Sequence, residues 1–160
     1  MIVVLMGVTG SGKSTVGRLL ARQLGWNFLE GDDFHSAENL AKLKRGEPLS
    51  DADRQPWLET IHRSIDEAVG RNENAVIACS ALKDSYRSML EIPGQVVFVY
   101  LKASLPLIQE RLKRRVGHFM NPILIQSQFD ALEEPGTVLQ IDAGSAPAAI
   151  LEVIRNKLAI

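Results

Sequence analysis

The chain has 160 residues, 46% hydrophobic and 23% charged, with 18 Lys and Arg against 19 Asp and Glu. That is the balance of one globular domain, and a formal charge of −1 excludes the basic excess of a general nucleic-acid or membrane-surface binder. One cysteine excludes an internal disulfide framework and any multi-cysteine zinc site, and no apolar run reaches the roughly 18 residues a membrane span needs.

The run Ile2–Met6 predicts a buried strand rich in β-branched residues. No basic segment precedes it and a glycine-rich stretch follows, so no secretory signal is expected. With the lone Cys79, an inert buried thiol, this points to the reducing cytoplasm. Val16, Leu19, Leu20 and Leu24 share one face of a helix over 14–24. A short strand is expected at Asn27–Glu30. Leu40 and Leu43 are spaced for one face of a helix over 36–45, stopped by Gly46. From Pro56, the residues Trp57, Leu58, Ile61, Ile65 and Val69 repeat at helical spacing up to Gly70. A strand at 75–79, a short helix at 83–90 and a strand at 96–101 follow. Leu105, Ile108 and Leu112 mark a helix running into the basic segment 111–115. A helix over 123–132, a strand at 138–141 and a terminal helix through Ile150, Leu151, Ile154 and Leu158 complete the chain.

Strands and helices alternate throughout, without internal repeat or linker. The strands are near-continuous apolar runs, as in a parallel sheet covered on both faces. The expected class is α/β, a single domain over 1–160 with about five strands. Sites in such sheets lie beyond the carboxyl ends of the strands, which directs attention to the residues following each run.

The first such segment, 7–14, reads Gly-Val-Thr-Gly-Ser-Gly-Lys-Ser and fits G-x-x-x-x-G-K-[ST] between a strand and a helix. Gly7, Gly10 and Gly12 let the backbone curl so that the N–H groups of Thr9 to Thr15 can point at an anion. The helix start adds partial positive charge. Lys13 brings a full charge to the β and γ phosphates of ATP, and the Ser14 hydroxyl is a ligand for Mg²⁺. The competing reading is a glycine-rich turn before an ordinary helix. No guanine-specifying Asn-Lys-x-Asp follows a later strand, and no Asp-x-x-Gly or strand ending in Asp-Glu occurs. A compact small-molecule kinase remains.

Such an enzyme needs a carboxylate at the acceptor hydroxyl. Residues 30–35 supply Glu-Gly-Asp-Asp-Phe-His. Glu30 and Asp32 are expected on one face, with Asp32 as the base and either carboxylate near Mg²⁺; the alternative for Asp32 is a helix cap. His35 binds substrate hydroxyls or merely occupies a loop. The basic segment is read as part of a lid around 114–124, in which Arg111 and Arg115 reach the phosphates. The alternative is a solvated helix end.

Residues 6–14, 31–35, 46–58, 79–87, 111–119, 128–129 and 132–135 together resemble the gluconokinase family, over nearly the whole chain. The resemblance implies a shikimate-kinase-like P-loop fold with a five-stranded parallel sheet. It implies phosphoryl transfer from ATP to D-gluconate with Mg²⁺, and a homodimer. It puts Asp32 in the acceptor-activating position and Arg54 and Arg87 in substrate-side blocks. Either arginine can clamp a carboxylate bidentately, with Ser80, Lys83 and His35 bonding hydroxyls. The alternatives are a pair of Arg54 with Asp51 or Asp53, and of Arg87 with Asp84. Trp57 is read as core.

Overall fold

The computed structural model describes residues 1–114 and 121–160. Five parallel strands, β1 (Ile2–Met6), β2 (Asn27–Glu30), β3 (Ala75–Ala78), β4 (Val96–Lys102) and β5 (Leu139–Asp142), form one sheet in the order β2-β3-β1-β4-β5. The helices are α1 (Lys13–Leu24), α2 (Ala37–Lys44), α3 (Asp51–Gly70), α4 (Asp84–Leu90), α5 (Leu105–Arg114), α6 (Pro122–Ala131) and α7 (Pro147–Leu158). Among the described residues no helix is long and apolar enough to cross a membrane.

The pleat of β1 explains why its sequence is apolar without interruption. Val3 and Leu5 join a core with Val16 and Leu20 of α1, Ile108 of α5 and Ile150 and Ile154 of α7. Ile2, Val4 and Met6 point the other way, into a core with Leu58, Ile61 and Ile65 of α3 and Tyr86 and Leu90 of α4. Successive side chains of a strand serve opposite faces, so a strand buried on both needs no polar residue. β3 and β4 repeat the division: Val76, Val99 and Leu101 face the first core, Ile77 and Tyr100 the second.

This topology positions the site. The helix after β1 covers one face and the helix after β3 covers the other. The loops leaving β1 and β3 therefore diverge, opening a crevice at their carboxyl ends. The Gly7 N–H still donates to Ser80 O at 3.1 Å, holding the two loops together at its base.

Two expectations are corrected. The helix placed from Pro56 begins at Asp51, because Ser50 and Asp53 form a reciprocal capping box ahead of it. Pro56 lies inside that helix, near its start. The segment after β2 is a 3-10 turn, Gly31–Phe34, rather than an extension of the strand. Leu40 and Leu43 share one face of α2, as expected, and both line one cavity, with Leu40 42% exposed; α2 is held to α3 by polar contacts. Asn39 Nδ2 donates to Asp53 O at 2.9 Å and Lys42 Nζ to Asp53 Oδ1 at 2.7 Å.

Candidate active site

The loop 7–14 leaves β1 and enters α1 through three glycines with left-handed backbones. Gly12 is the N-cap of α1 at φ 103°, and no side chain caps the helix or places an acid in its first turn. The first-turn N–H groups are thus left for an anion. A Cβ on Gly7, at φ 134°, would meet Leu101 O at 2.7 Å, so neither the conformation nor the space admits another residue. Within the loop the Ser11 hydroxyl is buried without a partner among the described residues. A buried polar atom left unpaired beside an uncapped helix start fits a phosphate-bearing ligand.

Lys13 Nζ donates to Val8 O at 2.9 Å, folding its side chain back over the loop. Ser14 lies in the first turn of α1, half-buried, and Thr15 is exposed. Arg111 reaches back from α5, donating to Gly10 O at 3.1 Å, Ser11 O at 3.2 Å and also to Ala143 O. It therefore braces the loop against the segment after β5.

Beside this loop is a cavity of about 520 Å³ whose walls include Thr9, Lys13, Asp32, His35, Arg54 and Ser80. Asp32 enters from the 3-10 turn, with a side chain 79% exposed. The turn is fixed by Trp57, whose Nε1 donates to Gly31 O at 2.6 Å. Trp57 is 2% exposed, as expected of a core residue, and it also stacks on His35 with ring centroids 4.3 Å apart. His35 Nε2 is 4.0 Å from Asp32 Oδ1, and its Nδ1 is buried without a partner among the described residues. Burial lowers the His35 pKa from 6.5, with Asp32 opposing and Arg54 assisting, so the imidazole is neutral at pH 7.

Arg54 lies on the cavity wall, its guanidinium 5.8 Å from the Tyr86 ring centre. Neither neighbouring acid claims it. Asp53 binds Lys42 and the Ser50 N–H, while Asp51 binds Lys83 Nζ at 2.8 Å and the Tyr86 hydroxyl. Lys83, expected at the substrate, is thereby held against α3 rather than on the cavity wall. Arg87 is displaced further. Its guanidinium is buried and donates to the carbonyls of Ala81, Leu82 and Glu133, and to Asp84, the alternative partner read from the i,i+3 spacing. It supports the loop behind Ser80, where Ala81 adopts a left-handed φ of 42°. Glu30 also faces elsewhere: it pairs with Arg18 at 3.4 Å, because Asp32 belongs to the turn and not to the strand. Arg115 and the expected lid stretch 116–120 lie outside the described residues.

Several wall residues carried no site role in the sequence, among them Leu40 and Leu43 of α2, Leu49, and Gln128 of α6. The signal for Gln128 was its spacing, one helical turn after Leu124, which shares the wall.

As for a metal, Ser14 offers a hard oxygen beside the phosphate cradle, and Asp32 is the carboxylate of the same cavity. Oxygen donors beside phosphates suit Mg²⁺, which takes few protein ligands and keeps waters.

The family model for shikimate kinase matches residues 9–134. The probable gluconokinase of Mus musculus is 44% identical over 174 residues, spanning 98% of this chain and 90% of its own length. A sugar kinase from Janibacter sp. HTCC2649 superposes with a TM-score of 0.93 at 39% identity, over 99% of this chain and 94% of the other. A gluconokinase from Sinorhizobium meliloti 1021 does so with a TM-score of 0.85 at 40% identity, over 98% and 94%. With a phosphate loop opening onto a cavity that also holds a carboxylate and an arginine, these likenesses show that the chain belongs to the gluconokinase family of ATP-dependent P-loop kinases.

Proposed function

We propose that this protein transfers the γ-phosphoryl group of ATP to D-gluconate, giving 6-phosphogluconate and ADP. The observation that carries the reading is that one cavity joins Thr9 and Lys13 of the phosphate loop to Asp32, His35, Arg54 and Ser80. In-line transfer needs the donor phosphate, the acceptor hydroxyl and a proton acceptor brought together in one water-poor space.

The amides of Gly10 and of Gly12 to Thr15, with Lys13, hold the β and γ phosphates, the Ser11 N–H being bonded to Val8 O, and Arg111 keeps the loop in its curled form. Ser14 holds Mg²⁺, which when bound neutralises charge on the phosphate oxygens. Asp32 orients the acceptor hydroxyl and takes its proton as the O–P bond forms. Neutral His35 and Ser80 bond substrate hydroxyls, and Arg54 takes the gluconate carboxylate as a planar fork. Arg115 is assigned to the transferring phosphoryl group within a lid over 114–124, from the sequence alone. A homodimer, on the resemblance, and a cytoplasmic location, on cysteine usage, complete the proposal.

The test is coupled ADP release with Mg·ATP against D-gluconate, keto-gluconates, shikimate, nucleoside monophosphates and no acceptor. Turnover restricted to gluconate is expected. Turnover with another acceptor only would keep the phosphoryl chemistry and remove Arg54 from the gluconate carboxylate. Nucleotide binding without turnover on any acceptor would point to a regulatory nucleotide-binding module.

A further inference from the structure

Gln128 reaches the cavity from α6, more than a hundred residues from the phosphate loop it touches. Its Oε1 accepts a 2.7 Å hydrogen bond from the Thr9 backbone N–H. A backbone N–H can only donate, so this bond fixes which end of the carboxamide faces Thr9 and turns Nε2 away from it. Among the described residues Nε2 has no hydrogen-bond partner.

Two consequences follow from that single bond. The Thr9 amide is engaged, so the phosphate cradle begins at the amides after it. Thr9 thus marks the border between the nucleotide side and the acceptor side of the cavity. The donors of Nε2 sit on that border, across a space also walled by Asp32, His35 and Arg54. A polyhydroxy acid is rich in oxygen acceptors. A carboxamide satisfies one of them without adding charge to a wall that already carries Lys13, Lys44, Arg45 and Arg54.

Building on the gluconokinase reading, we infer that Gln128 is an acceptor-positioning residue: Oε1 holds Thr9, and Nε2 donates to a hydroxyl oxygen of the sugar acid. Two variants separate the halves of this assignment. Gln128→Leu removes both bonds at similar volume. Gln128→Glu keeps an oxygen for the Thr9 N–H and loses the donor.

The readouts are the KM and kcat for gluconate, ADP affinity by calorimetry, hydrogen exchange of the Thr9 amide, and turnover of a set of mono-deoxy gluconates. In Gln128→Leu the gluconate KM rises about 2- to 10-fold, the span of one net hydrogen bond, with ADP affinity within twofold. Thr9 exchange accelerates in Gln128→Leu and not in Gln128→Glu, while both variants share the KM defect. One deoxy analogue that is poor for the unmodified enzyme is no poorer than gluconate for Gln128→Leu, because its missing hydroxyl and the missing donor are the same interaction. Additive losses across every analogue, or an unchanged KM in both variants, would overturn the acceptor half. Unchanged Thr9 exchange in Gln128→Leu would overturn the anchoring half. Absence of gluconate turnover in the unmodified enzyme would defeat the gluconokinase reading and the acceptor half with it, while the exchange measurement would still decide the anchoring half.

Discussion

Replacing Arg87 by Met separates a substrate-binding arginine from a structural one. The guanidinium is 6% exposed as a residue and donates to Ala81 O at 2.9 Å, Leu82 O at 3.1 Å and Glu133 O at 2.9 Å. Hydrogen bonds from a charged donor each contribute about 1.5–3 kcal/mol, and part of that sum offsets the cost of burying the charge. Its ion pair with Asp84 adds little, since that carboxylate is 77% exposed. The expected loss is about 3–5 kcal/mol, a large share of the roughly 5–15 kcal/mol that holds a domain together. Urea unfolding at constant m-value measures it. Kinetics well below the transition should show a gluconate KM within about threefold of the unmodified enzyme, since no guanidinium atom is needed at the substrate. Arg87→Lys should recover little, because one ammonium cannot span carbonyls on both the Ala81 loop and the Glu133 segment. A stability loss under about 1 kcal/mol together with a tenfold rise in the gluconate KM would refute the reasoning and return Arg87 to the substrate.

Lys13→Ala and Asp32→Asn should each abolish turnover while leaving urea unfolding cooperative; normal turnover in either removes that residue from the mechanism. Asp53 is held down to about 2 from 3.8 by Lys42 and the Ser50 cap. A depressed carboxyl stabilises the fold fully above its unfolded value and loses that contribution as pH falls through the folded one. The stability gap between the unmodified protein and Asp53→Asn should therefore shrink as pH drops from about 4 towards 2, and a gap independent of pH would show that the Lys42 contact is not responsible. Burial pushes the Cys79 thiol up to about 12, so a disulfide reagent at pH 8 should label it only at the rate of unfolding; rapid labelling of the native protein would contradict its burial.

The central strands of the sheet were legible because they are apolar on both faces, a pattern that helices of this length do not imitate. The phosphate loop was legible because its backbone demands glycine and its chemistry demands Lys13 and Ser14. What escaped was direction. Arg54 and Arg87 look alike in sequence, each beside acids at helical spacing. Only the tertiary partners of Asp51 and Asp53, namely Lys83, Tyr86 and Lys42, leave Arg54 on the cavity wall. Arg87 instead meets carbonyls from segments 46 and 6 residues away. Periodicity gives Leu40 and Leu43 a shared face but not what that face meets, which is the cavity. Glu30 and Asp32 separated because a 3-10 turn interrupts the alternation of a strand. Gln128 stood within a block of the family resemblance but without a role, since its partner is a backbone N–H that no side-chain pattern records.

The central place of β1 has a consequence for how the chain is made. Residues 2–5 register with 75–78 on one side, and residues 2–6 with 96–100 on the other. During synthesis at about 5–20 residues per second, β1 waits some seconds before either neighbour exists. Throughout that interval Ile-Val-Val-Leu-Met is an unpaired, uncharged strand of the kind that joins other chains edge to edge. The strand that anchors the finished phosphate site is thus the segment the nascent chain most needs kept apart from its own copies. Crowded or chaperone-poor translation should trap this protein before β4 emerges rather than after.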